Sequence, residues 1–512
     1  MFERVITKAL SIIQGARSVS TLNNASPVVR RTVLKQVGAR MFKAGDSDRM
    51  QETWNPGGYN VDTALRMRLE KMRRRSREQF YNNEYAKRFY GLLKSNVIGH
   101  TGITLQMKAT GQDNKLDTIG NGRVEKAWLK WCKRGNCDVT RKLSFIDVCK
   151  LILETTARDG EIFVRKIKGY DNSCRFAIQL IEADLVDITL NTALASGNTI
   201  RMGIEFDIWD APVAYWFLTR HPGDYLYGYT GGLTHNRIPA DEIIHLFAPE
   251  FVRQSRGYPW GHAAMSRLRK IDKYEEAEIT AAYGAAAKMG FYEVDPNADP
   301  DEEYDGDDEA GDEDLLAEFD PFSIEKLPPG YKFKAWDPQH PSGNYDPTMS
   351  RMLRAVACGF MMSYHSLAND RGDANYGSQR GGTLEDRDVF KLIQTWLVET
   401  LLDNLFPEWL PFAVASGTCN ISPLDISRMS DAAAWKPRRW DWIDPLKDVM
   451  SKIKEKEAGL TTATSIVAEK GGDIEDMYQE KQQEMQLEQT YGVSLGENQK
   501  GGAAIVNQTS QA

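Results

Sequence analysis

Between Leu327 and Phe390 the chain runs turn, helix, long polar loop and helix, and this order restricts the fold more than any other stretch. Asp346 followed by Pro347 is a helix start, since the carboxylate accepts free first-turn amides and the ring presets the backbone angle. Met349, Leu353, Val356 and Phe360 then recur at helical spacing, so the helix predicted over 346–364 has one apolar face. From Asn369 to Gly382 the residues are mostly Gly, Asn, Asp, Ser and Arg, which predicts an exposed loop. Helix resumes near Thr383 with Val389, Ile393, Trp396 and Leu401 as the expected buried stripe, and it should stop at Pro407. The whole stretch carries no nucleophile, metal cluster or phosphate cradle, which points to a machine part and not to an enzyme.

The rest of the chain agrees. No Gly-Lys-Ser or Gly-Lys-Thr closes a phosphate-binding loop, as an ATPase requires, and neither GxSxG nor HExxH occurs. The six cysteines form no CxxC pair and are expected as reduced thiols, so neither metal nor cofactor is implied. His245 and His262 read as structural side chains. Glu275, Glu276 and Glu278 resemble a nuclease carboxylate set, but on an alanine-rich helix they read as a solvated or subunit-facing edge. No apolar run is long enough to cross a bilayer. Residues 1–20 read as an amphipathic helix and not a signal peptide, because Lys8 divides the apolar part and Glu3 sits where a basic head belongs.

Charge is strongly segregated. Fourteen acidic residues and no lysine or arginine lie between Asp295 and Asp320, so removing them from the net −8 leaves +6 for everything else. With Pro296, Pro300, Gly306 and Gly311 and little to bury, that segment is expected to be mobile and solvated, either an interaction surface or an inserted loop. Asp301, Glu303, Asp305, Gly306 and Asp312 approach calcium-loop spacing, but Asp308 occupies an apolar place and the prolines forbid a flanking helix. Conversely, Arg66, Arg68, Lys71, Arg73, Arg74, Arg75 and Arg77 crowd one helical segment. Contact with phosphate is one reading. A solvated face pairing with acids of a neighbouring subunit is the preferred reading.

A coarse reading predicts α+β architecture. Helices dominate to about Lys94, followed by strands at Glu161–Lys168, Arg175–Glu182 and Gly203–Asp207, the last pairing with Val213–Leu218 across Asp210, Ala211 and Pro212. Ile204, Phe206 and Ile208 alternate with Glu205 and Asp207, the period of a half-buried sheet. An uninterrupted helix is predicted over 259–291, with Ala281, Ala282, Ala285 and Ala286 suited to packing against a copy of itself.

Four blocks resemble the lambda-type family of tailed-phage portal proteins: the basic helices and small strand of Leu65–Gln106, His245–Phe291, the loop Asp370–Arg380 (DRGDANYGSQR), and Trp440–Asp448 (WDWIDPLKD). Gly372 and Gly377 stand where that family usually has serine, so hydroxyls there are not essential. The resemblance implies a portal fold: N-terminal helices and a wing of helices and antiparallel strands over 1–257, stem helices at 258–291 and 346–364, and a small clip at 292–345 carrying the acidic insertion. It further implies a tunnel loop at 365–382, a long helix returning to the wing at 383–430, crown helices at 431–491 and a disordered tail at 492–512. By the same resemblance twelve copies form a ring at one capsid vertex of the virion, assembled in the host cytoplasm, through which duplex DNA passes without sequence choice. Its expected partners are the terminase large subunit, head completion and tail connector proteins, and the major capsid protein, with no membrane. Asn369, Asp370, Arg371, Asp373, Asn375, Tyr376 and Arg380 would face DNA, and their charges sum to zero. Asp301, Glu302, Glu303, Asp307 and Asp308 would form the clip docking surface. The alternatives are a nuclease or ATPase subunit of the packaging motor, and a monomeric capsid-associated scaffold.

Overall fold

The computed structural model describes residues 60–111, 114–224, 234–286, 290–294, 331–335, 343–370, 372, 375–440, 445–469 and 474–491. The chain divides into two units, Met1–Asn60 and Val61–Ala512, and the described elements belong to the second. The amphipathic N-terminal segment, the acidic insertion and the tail past Tyr491 lie outside the described residues.

The second unit opens with helix α1 (Val61–Asn82) and helix α2 (Glu84–Leu93), which continues into a π turn to Ile98. Asn83 separates the helices because its side chain accepts the Ala86 amide at 2.9 Å, capping α2. Strand β1 (Thr104–Met107), helix α3 (Thr118–Trp131) and helix α4 (Phe145–Asp159) follow; Ser144 and Asp147 form a reciprocal capping box at the start of α4. Strands β2 (Glu161–Lys168) and β3 (Phe176–Ile181) form a three-stranded antiparallel sheet with β9 (Ile243–Phe247) in the order β3-β2-β9. Between them the chain builds a five-stranded meander from β4 (Thr192–Ala193), β5 (Thr199–Arg201), β6 (Ile204–Phe206), β7 (Pro212–Leu218) and β8 (His235–Pro239).

The predicted β6–β7 hairpin is present, but its alternation ends early. A register shift between Glu205 and Phe206 breaks the ladder, leaving Ile208 80 % exposed and turning Glu205 inward. Buried Glu205 is satisfied by Arg237, whose Nε donates at 2.8 Å, and by Asn198 at 2.8 Å.

Helix α5 (His262–Ala286) is shorter at both ends than predicted, and strand β10 (Gly290–Val294) pairs antiparallel with β11 (Tyr331–Ala335). Helix α6 (Tyr345–Gly359) packs along α5 and buries Met349, Leu353 and Val356, the predicted face. It ends five residues sooner than predicted, at Gly359, because Met361 takes a left-handed φ of 53°; a short helix α7 (Tyr364–Ala368) then starts afresh.

Helix α8 (Tyr376–Leu397) begins seven residues before the predicted Thr383. Asn375 supplies the reason, accepting the Ser378 amide at 2.8 Å as an N-cap, so Gly377, Gly381 and Gly382 are drawn into the helix despite their poor propensity. Its inward stripe is Asp386, Phe390, Gln394, Leu397 and Leu401, one position out of phase with the predicted set except at Leu401. Nor does helix stop at Pro407. A π turn at Val398–Leu402 leads into α9 (Asp403–Ala415), which contains both Pro407 and Pro411. Burial of Leu405, Phe406, Trp409, Leu410 and Ala413 offsets a cost of about 3 kcal/mol per interior proline.

After helix α10 (Ile426–Asp431), strand β12 (Ala433–Lys436) returns to pair with β1, Thr104 opposite Lys436 and Met107 opposite Ala433. Helices α11 (Pro445–Glu457), α12 (Ala463–Glu469) and α13 (Ile474–Tyr491) complete the described chain. The main core is knit by aromatic contacts from α3, α4 and α9: Trp128 and Trp409 meet edge to face at 4.9 Å, and Trp131 donates its indole N–H to the Phe176 carbonyl at 2.9 Å. A second cluster, with Phe163, Phe206, Tyr215 and Phe217, joins the two larger sheets.

Candidate functional site

The polar loop between α7 and α8 is seven residues long, 369–375, half the predicted length. Its near end is fastened by one buried carboxylate. Asp386, only 5 % exposed, accepts the Ser363 amide at 2.6 Å, the Ser363 hydroxyl at 2.7 Å and the Ser366 hydroxyl at 2.5 Å. Arg88 reaches across from α2, donating to the Ser366 carbonyl at 2.6 Å and to the Asn369 side-chain oxygen at 3.2 Å. Asn369 itself turns the chain with a left-handed φ of 56°.

Asp370 is occupied within the loop. Its carboxylate accepts the Tyr364 hydroxyl at 2.7 Å and the Gly372 amide at 3.0 Å, and these bonds hold its pKa below the usual carboxylate range. His365 donates from Nδ1 to the Asp370 carbonyl at 2.9 Å. Among the other expected loop residues, Asn375 is spent on capping, Tyr376 opens α8, and Arg380 sits one turn in, 3.5 Å from Asp448 on α11. Arg371 and Asp373 lie outside the described residues, as do Asp301, Glu302, Glu303, Asp307 and Asp308. The β10–β11 pairing, with Val294 opposite Tyr331, brings together the two ends of the segment that carries those five acids.

The basic helix divides in two, a correction to its expected role. Arg73 and Arg77 point inward into an ionic cluster within the same chain; Arg66, Arg68, Lys71 and Arg75 remain exposed. Glu161, fully buried at the start of β2, is the hub. Arg73 bonds one oxygen, Arg256 donates to it from Nε at 2.7 Å, and the other oxygen accepts His245 Nε2 at 2.8 Å and the Gly257 amide at 2.9 Å. Burial opposes the charge, but Arg256 and Arg73 together with the bond from His245 hold the Glu161 pKa well below normal. Burial also pushes His245 down, against the pull of Glu161, so the ring is a neutral donor; it is structural, as expected. Arg256 spends its remaining donors on the carbonyls of Met202 at 2.6 Å, Ala183 at 3.0 Å and Val186 at 3.2 Å. Arg77 bridges Asp159 at 2.8 Å and Asp184 at 2.5 Å.

Two glycines complete this junction. A Cβ on Gly257 would lie 2.1 Å from the Gly160 carbonyl oxygen, and one on Gly160, with φ of 94°, would lie 2.3 Å from the Tyr258 backbone. The two backbones therefore abut just where the chain leaves the sheets for α5. A signal for the cluster was available in the sequence: Arg73 lies four residues after Leu69 and Arg77 four after Arg73, in phase with the buried stripe of α1.

Among the described residues no group of three or more His, Cys, Asp or Glu side chains could hold a metal, and no helix is long and apolar enough to cross a membrane. Residues 47–394 match the model of the phage portal protein, lambda family. The chain belongs to that family. A probable portal protein of Halomonas phage phiHAP-1 is 37 % identical over 457 residues, covering 89 % of this chain and 88 % of the relative. Portal protein B of Escherichia phage lambda is 21 % identical over 469 residues, covering 84 % and 86 %. A solved neck of a native gene transfer agent particle with C12 symmetry overlaps 83 % of this portal chain and 98 % of its own at 14 % identity, with a TM-score of 0.40. This portal protein is a head-tail connector of α+β construction, and its family is structural, not catalytic; nothing found favours a nuclease or ATPase subunit.

Proposed function

We propose that twelve copies of this portal protein form a ring at one capsid vertex, assembled in the host cytoplasm, and that duplex DNA passes through its channel during packaging and ejection. The loop 369–375 faces the duplex. The anchorage of that loop carries the reading: Asp386 and Arg88 fix its root, Tyr364 and Gly372 engage the Asp370 carboxylate, and the described loop residues offer phosphate no cation to grip. Such a loop supports a sliding duplex without sequence choice. The acidic segment with Asp301, Glu302, Glu303, Asp307 and Asp308 serves as the docking surface for the terminase large subunit and later for the head completion and tail connector proteins, and the outer sheets meet the major capsid protein.

Removing Asp373 and Ala374 tests the loop while sparing the Asp370 contacts with Tyr364 and Gly372 and the Asn375 cap. Rings form as in the wild type, and DNA packaging or retention in assembled particles falls sharply. Wild-type packaging by the shortened ring overturns the assignment.

A further inference from the structure

Two groups of charged side chains have no ion-pair partner among the described residues. On α1, Arg68, Lys71 and Arg75 stand at i, i+3 and i+7, forming one exposed stripe without an acidic partner among the described residues. Where α1, α2 and α5 meet, Glu78, Glu84, Asp272 and Glu275 gather, and none has a lysine or arginine at ion-pair distance among the described residues. The crowding is felt. Burial together with Glu84 and Glu78 pushes the Asp272 pKa up, although Asn83 donates to it at 2.6 Å, and burial together with Glu84 and Asp272 pushes Glu275 up.

Gln79 adds a second and independent sign. It is 7 % exposed, its side chain bonds Asp272, and its amide oxygen has no hydrogen-bond partner. A buried carbonyl without a donor costs about 1–3 kcal/mol. The site thus has acceptors in excess and donors missing. The absence of a metal-holding group among the described residues points away from a metal ion and toward N–H donors. Phosphate is excluded by its sign. A guanidinium or ammonium on a protein surface fits, and the unmatched stripe on α1 offers three at helical spacing.

We propose that the carboxylate cluster of one copy receives Arg68, Lys71 and Arg75 of the next, forming a charged seam in a head-to-tail contact. The inference rests on the ring proposed above and names the residues of one of its contacts. The stripe and the cluster share no residue, as a heterologous interface that closes into a ring requires.

The test uses the full chain, with oligomers read by native mass spectrometry and sizing across a concentration series at ~0.1 M and ~1 M salt. Lys71→Glu with Arg75→Glu raises the concentration for half-assembly by at least about tenfold at the lower salt, and Glu84→Lys with Glu275→Lys does the same. Combining all four returns assembly toward the wild type, which itself weakens as salt rises. Should the reversed acids prevent folding, judged by circular dichroism, Glu84→Gln with Glu275→Gln gives a smaller loss in the same direction. Wild-type rings with unchanged assembly in the reversed or neutral variants, or no recovery in the fourfold variant, overturn the seam but leave the ring standing. A wild type that stays monomeric at every concentration overturns both.

Discussion

Replacing Glu161 with alanine should be among the most damaging single changes in this chain. Glu161 accepts from four groups, and all of them are held around a side chain that water does not reach. Its removal leaves Arg73 and Arg256, 2 % and 0 % exposed, without their principal counter-charge. Breaking a buried pair from one side costs about 3–5 kcal/mol. The lower end applies here, because Arg73 keeps the Asp159 carbonyl at 2.9 Å and Arg256 keeps three carbonyls. The entropy of unfolding is about 2.1 cal/mol/K per residue, which for the unit Val61–Ala512 is roughly 1 kcal/mol/K if it melts as one. A loss of ~3 kcal/mol therefore lowers the melting temperature by about 3 °C, measurable by calorimetry on unassembled protein. The penalty comes from stranded cations, so Glu161→Ala combined with Arg73→Met should cost clearly less than the sum of the two single changes. A melting temperature within about 1 °C of wild type for Glu161→Ala, or simple additivity in the double variant, would refute this account of the cluster.

The pH dependence follows from the same hub. His245 has a lowered pKa in the fold, so the unfolded chain, with a His pKa near ~6.5, binds more protons around and below that value, and stability declines as pH falls through it toward the lower folded value. His245→Gln keeps a donor for Glu161 and should flatten that part of the stability curve; an unchanged slope in denaturant titrations argues against a buried neutral ring. Glu161 acts in the same direction lower on the scale: its depressed pKa contributes stability that is fully present above the unfolded value of ~4.3 and is lost as pH falls through a folded value well below it. Asp386→Ala strands three donors at the root of the polar loop and should cost about 1–3 kcal/mol, concentrated locally; limited proteolysis should then cut within 363–375 at a rate at least several-fold above wild type. Equal cutting rates would mean that Asp386 is not what fastens the loop.

Much of the architecture was legible because it depends on short-range pattern. Strand β2 has its predicted limits, and the face Met349, Leu353, Val356 and Phe360 is buried as its spacing demands. What misled was local chemistry overruled by context. Gly377, Gly381 and Gly382 argue for loop, but one asparagine cap outweighs them, and Pro407 argues for a helix end that the surrounding burial overrides. Arg73 and Arg77 were misread for a related reason. Charge normally marks a wet face, and only the distant placement of Glu161, Asp159 and Asp184 makes these two positions interior.

The pairing of β1 with β12 has a bearing on timing. Thr104–Met107 finds its partner only in Ala433–Lys436, while Trp440 donates to Asn96 at 2.9 Å and Gln394 to the Val97 carbonyl at 3.0 Å. The early helices thus wait for some 330 further residues, which at about 5–20 residues per second is roughly 16–65 s on the ribosome. A nascent chain cannot close its core, and any neighbour it met would find an unfinished surface. Copies must be synthesised past Trp440 before these contacts can close, so the surface that another copy could recognise is finished only late in translation.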